Sequence, residues 1–221
     1  MTALDPRRYL FALKGMGIRT YAFEKDAARG GSVGNDAGAA WTEVESRVRA
    51  CTRCGLSKTR RTVVFGEGSP KADLVFVGEA PGEEEDLQGR PFVGRAGKFL
   101  DQMIERIGLR RNDVFICNVL KCRPPGNRDP EPGEVEACRD YLFTQIELIK
   151  PKVICALGRH AVNILLDTDA RITRIRGKVT DFRGTPLLPT YHPSYLLRNP
   201  DAIKEAWEDM ETLKGLVKGG A

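Results

Sequence analysis

The 221-residue chain carries 35 basic and 30 acidic side chains, a net charge of +5, and 41% hydrophobic residues. That is enough apolar material for one α/β domain with a full core, and no stretch approaches the roughly 20 apolar residues of a membrane span. The mild basic excess permits a polyanionic partner without requiring one, and Met1–Lys14 lacks the long apolar run of a secretory signal, so cytoplasmic residence is expected.

Residues 1–40 read as an appendage, because Gly30–Gly38 is a turn-rich linker with nothing to bury. The domain proper is expected over 41–221. Trp41, Val44, Val48 and Cys51 follow helical spacing, with Thr42 and Glu45 placed as a capping box. Four β-rich runs follow at wide intervals: Leu74–Val77, Val114–Cys117, Val153–Leu157 and Leu187–Tyr191. The first three are nearly continuous apolar runs, as strands buried on both faces of a parallel sheet must be. Helical patterns separate or follow them at Gly97–Ile107, Glu134–Ile149, His160–Leu166 and Asp201–Val217. This alternation predicts a three-layer α/β/α domain around a four-stranded, parallel, twisted sheet. Ligands of such sheets bind beyond the carboxyl ends of the strands. That rule directs attention to Gly78–Gly82, to Asn118 and to His192–Ser194.

The six cysteines divide by context. Cys117 and Cys155 sit inside apolar runs and read as small core residues. Cys51 and Cys54 form a C-x-x-C, and Cys122 and Cys138 form a wider pair. In a reducing compartment such a set suggests metal rather than disulfides, and spacing alone does not separate zinc from an iron–sulfur centre.

Four segments then combine into one pattern: GEAPGEEED at Gly78–Asp86, RPFVGRAG at Arg90–Gly97, NVLKCRPPGN at Asn118–Asn127 and HPSYLLRNP at His192–Pro200. In this order, and with this cysteine set, the chain from about Cys51 to Pro200 resembles the family 4 uracil-DNA glycosylases, the iron–sulfur branch of their superfamily. The resemblance implies an enzyme that hydrolyses the N-glycosidic bond of uracil in single- and double-stranded DNA, the first step of base excision repair. It also implies a 4Fe–4S cluster on Cys51, Cys54, Cys122 and Cys138. A monomer acting on uracil-containing DNA is the expected working form.

Each motif has a physical reading beside the resemblance. Gly78, Glu79 and Ala80 form a turn whose amides could donate to a uracil carbonyl, although an ordinary strand-end turn would look the same. The resemblance makes Phe92 the platform that stacks on the flipped base, its alternative being a core aromatic. Asn118 can donate and accept together and so read the N3–H and O4 edge of uracil, which cytosine reverses. The resemblance gives His192 a hydrogen bond to uracil O2, where negative charge collects as the base leaves. His160, the other histidine, reads as a capping or surface residue.

Leu196 is the expected wedge for the vacated stack. Arg198, Arg95 and Arg176, with Lys98 and Lys178, are candidate phosphate contacts. Other superfamily branches carry an aspartate at the position of Ala80, which leaves Glu79 first and Glu85 second as the group that positions the attacking water. Gly82 likewise stands where other branches place a bulky tyrosine that excludes thymine. A DNA-binding relative with altered chemistry and a zinc-bearing enzyme acting on free nucleotides are the competing readings. Dinucleotide binding is disfavoured, because the first turn is GxxxG rather than GxGxxG.

Overall fold

The structure, a computed structural model, describes residues 36–219. Most of the N-terminal extension lies outside the described residues. Its end does not behave as linker: helix α1 begins at Asp36 and runs to Arg49. The expected capping box at Thr42 and Glu45 is therefore displaced into the helix interior. There the Thr42 hydroxyl donates to the Gly38 carbonyl and Glu45 pairs with Arg49.

The sheet has six strands rather than four, in the order β1-β3-β2-β4-β6-β5. The four expected strands are its parallel centre: β2 (Leu74–Gly78), β3 (Phe115–Asn118), β4 (Val153–Leu157) and β6 (Thr185–Thr190). The two additional strands, β1 (Glu67–Gly68) and β5 (Thr180–Phe182), are short antiparallel edges. Their polar, two- and three-residue stretches carry no alternating apolar signal.

Why the central runs are continuously apolar is visible in their packing. Successive side chains of a strand point to opposite faces. Leu74 and Phe76 face one core together with α3 (Arg95–Arg106) and α8 (Ile203–Lys218). Val75 and Val77 face the other, against α4 (Pro132–Ile149) and α5 (Gly158–Leu166). Cys117 and Cys155 are buried in these two cores, and burial pushes both thiols up. They are packing residues, as expected.

A third cluster joins α1 through Val44 and Val48 to Leu56, Phe65, Leu120 and Tyr141, with Cys122 and Cys138 among them. Among the described residues no helix is long and apolar enough to cross a membrane. Because β2 pairs with β3 on one side and β4 on the other, the connections leaving β2 and β4 diverge and open a crevice at the sheet's carboxyl edge. Three shorter helices complete the fold: α2 (Glu83–Gln88), α6 (Ile172–Ile175) and α7 (Pro193–Arg198).

Candidate active site

A cavity of about 640 Å³ occupies that crevice. All four parallel strands deliver residues to it: Glu79 and Ala80 after β2, Asn118 at the end of β3, Gly158 to His160 after β4, and His192 after β6. Phe92, Glu85 and Arg198 also line it. Glu79, Asn118 and His192, delivered by three different strands, thus line one cavity.

Gly78, the buried last residue of β2, packs against both Asn118 and Phe92. It pairs in register with Asn118, and a Cβ there would collide with the Asn118 amide oxygen and come within 2.6 Å of the Phe92 ring. Only glycine lets the amide and the ring approach from two sides. Asn118 is 1% exposed, and its Oδ1 has no hydrogen-bond partner among the described residues. A buried acceptor left without a donor costs about 1–3 kcal/mol. The turn behind it is fixed, since the Gly78 and Glu79 carbonyls accept from the Val119 and Leu120 amides.

Phe92 sits at φ 51, the left-handed region, which for a bulky residue costs about 1–3 kcal/mol. The loop around it is held in that shape by Glu85. One Glu85 oxygen accepts from the Val93 and Gly94 amides at 2.8 and 3.0 Å, and the other from the Gly82 amide at 3.1 Å. A Cβ at Gly82 would stand 2.7 Å from that second oxygen. The absence of a tyrosine at Gly82 therefore follows from the Glu85 clamp. With both oxygens engaged by the main chain, Glu85 is a loop staple, and Glu79 is the carboxylate left facing the cavity.

His192 caps α7. Its Nδ1 accepts from the Ser194 backbone amide at 3.1 Å and lies 2.7 Å from the Ser194 hydroxyl. Burial, reinforced by the Arg198 charge, brings its pKa down to about 4. The ring is neutral near pH 7, and because Nδ1 is an acceptor its proton resides on Nε2. The ring lies 5.7 Å from that of Phe92, tilted by 35°.

His160, read from sequence as capping or surface, lies in the site instead. Its Nδ1 is 3.9 Å from Glu79, and its Nε2 is 3.5 Å from Asp129 and 3.0 Å from an Arg159 nitrogen. The two carboxylates approach different ring nitrogens, and one ligand atom from each of Glu79, Asp129 and His160 lies within 4.8 Å of the others. Burial pushes the Glu79 carboxyl above its ordinary value, with His160 pulling it down and Asp129 pushing it up. The signal for His160 was available: it follows β4 as Glu79 follows β2.

Three other candidates sit away from the cavity lining. Leu196 is fully buried in the core beneath α7, so it is not available as a wedge, whereas its neighbour Leu197 is 37% exposed. Arg176 forks onto the buried Asp209, which also accepts from Thr190 at 2.7 Å; it ties α8 to β6 rather than facing solvent. Arg95 is exposed at the start of α3, beside the lining residue Ala96.

The four candidate ligand cysteines share a second, small cavity with Arg60, Lys121 and Tyr141. Arg60 donates to the Cys122 sulfur at 3.2 Å, and the Lys121 amide donates to the Cys138 sulfur at 3.3 Å. Burial pushes the Cys138 thiol up to about 11 and the Cys122 thiol above its usual value. Four thiolates in such a place require a positive centre, and N–H donors to sulfur are what the outer shell of one provides. The Lys121 ammonium, buried, donates to the Asn118 carbonyl and to Gln145, so the cysteine cavity and Asn118 share a support.

The uracil DNA glycosylase superfamily model matches residues 65–211. The chain is 50% identical over 179 residues to a type-4 uracil-DNA glycosylase of Thermotoga maritima, covering 79% of this chain and 93% of that protein. It is 48% identical over 184 residues to one of Sulfurisphaera tokodaii (79% and 84%) and 46% identical over 179 residues to one of Archaeoglobus fulgidus (77% and 90%).

Proposed function

Because the chain belongs to the uracil DNA glycosylase superfamily, and to its type-4 branch, we propose that it removes uracil from single- and double-stranded DNA by hydrolysing the N-glycosidic bond. That reaction opens base excision repair. The observation that carries the reading is the amide oxygen of Asn118, buried and without a partner among the described residues, which packs with the Phe92 ring against Gly78 and lines the cavity. An orphan acceptor next to a flat aromatic suits a planar ligand with a ring N–H, and the N3–H of uracil supplies that donor.

A base inside a duplex must leave the stack to reach such a slot. Phe92 stacks on it, a contact worth about 1–3 kcal/mol. Asn118 reads N3–H and O4. As the glycosidic bond lengthens, charge moves onto uracil O2, and His192 donates Nε2–H to it as a neutral imidazole fixed in one tautomer by Ser194. A pre-aimed dipole of this kind stabilises the leaving anion without reorganisation. Glu79, desolvated and raised in pKa, positions the water that attacks the sugar. Leu197 takes the wedge role left by Leu196, and Arg198 and Arg95 meet phosphates. The enzyme is proposed to act as a monomer in the cytoplasm.

Cys51, Cys54, Cys122 and Cys138 would hold a 4Fe–4S cluster, and their shared cavity, with N–H donors to the buried Cys122 and Cys138 sulfurs, fits one. When bound, that group supplies a rigid cross-link between the end of α1, the segment following Asn118, and α4. The test is an assay on uracil-containing oligonucleotides with purified brown protein. Free uracil and an alkali-labile abasic site are expected from native protein, and neither from Asn118→Ala or His192→Ala. Full activity in both variants would overturn the site assignment.

A further inference from the structure

The stacking ring Phe92 is held from a second side that no motif describes. Arg111 lies in the turn that precedes β3, behind the cavity lining rather than in it, with its side chain largely buried at 18% exposure. Its guanidinium donates Nη1 to the Phe92 carbonyl at 3.2 Å and Nη2 to the Pro91 carbonyl. The same group is anchored by Asp101 of α3 at 2.9 Å and by Glu67 of β1 at 3.3 Å. Glu67 also binds Arg90, and although burial alone would raise it, the two guanidinium groups hold its carboxyl below the ordinary range. On the far side of the loop, Gly97 is pressed so closely to the Phe92 carbonyl that a Cβ there would overlap it.

We infer that Arg111 is a positioning residue for the base-stacking platform. A phenylalanine in the left-handed region persists only if its surroundings over-determine it. Here the carbonyls of Pro91 and Phe92 are fixed by Arg111, and the amides of Val93 and Gly94 by Glu85. The planar fork of arginine reaches both carbonyls while still engaging both carboxylates, which a lysine ammonium on its single stem does not reproduce. Without the fork the Phe92 peptide relaxes toward negative φ and the ring leaves its parallel approach to the base. This rests on the reading of Phe92 as the stacking surface.

The test is a double-mutant cycle of Arg111→Gln with Phe92→Ala, read as kcat/KM on a uracil-containing single strand, with visible absorption and melting temperature recorded for each protein. Arg111→Gln is expected to lose about tenfold in kcat/KM, mostly through KM, the loss that forfeiting one base–aromatic stack implies. In the Phe92→Ala background the same change should cost almost nothing. Arg111→Lys, which keeps a charge for Glu67 and Asp101, should retain stability and cluster colour yet show the same kinetic loss; it serves also where Arg111→Gln does not fold. Equal losses in both backgrounds would overturn the clamp while leaving the stacking role intact. Full activity of Phe92→Ala alone would overturn both.

Discussion

Adding one methyl group at Gly78 tests the slot more directly than removing a polar group. A Cβ there stands 2.6 and 2.8 Å from two carbons of the Phe92 ring, and it overlaps the Asn118 amide oxygen. Ordinary carbon contacts are about 3.5–4.0 Å, so the ring or the amide must retreat by about 1 Å. Misplacement on that scale costs about a hundredfold in rate, or about 2.7 kcal/mol of barrier. Overpacking should lower global stability by a further 1–3 kcal/mol, roughly, which leaves the protein folded. Single-turnover uracil release by Gly78→Ala, with urea unfolding alongside, measures both. Gly133→Ala is the matched control, because a Cβ there meets nothing within 4 Å. A native rate in Gly78→Ala would refute the claim that the Asn118 amide and the Phe92 ring together define the base slot.

Two further outcomes separate residues that look alike in sequence. Arg176→Ala leaves the buried Asp209 without its countercharge and should destabilise by about 3–5 kcal/mol, with little change in the salt dependence of DNA binding. Arg198→Ala should do the reverse, keeping its melting temperature while the slope of log K against log salt falls by about 1; the opposite pattern would exchange their roles. His192 sets a pH dependence of stability. Its folded pKa of about 4 lies below the ordinary 6.5, so the unfolded chain binds the proton more readily. Its contribution is complete above pH 6.5 and is lost as pH falls toward 4, by at most about 3 kcal/mol. Denaturant titrations across that window should show a shallower loss in His192→Asn than in native protein. Identical slopes would mean that the imidazole is not held neutral by burial.

What could be read in the sequence follows from which signals are local. Three of the four parallel strands were legible because burial on both faces forces nearly unbroken apolar runs such as Leu74–Val77, and the ligand edge followed from strand polarity alone. Edge strands β1 and β5 are one-sided, short and polar, and pairing across the sheet, rather than composition, makes them strands. The same distinction explains the reassigned side chains. Arg176 resembled a phosphate contact because its partner Asp209 lies 33 residues away. Leu196 and Leu197 are adjacent letters, and only the phase of α7 over the core decides which one is buried.

His160 was within reach, because the strand-end rule that selected Glu79 and Asn118 applies equally to β4. The Glu85 and Arg111 clamps were not, since each grips main-chain atoms, and a backbone carbonyl has no sequence signature. The motif letters thus mark groups that line the cavity, while the groups that hold those letters in place are found only by following the hydrogen bonds of the loop that carries Phe92.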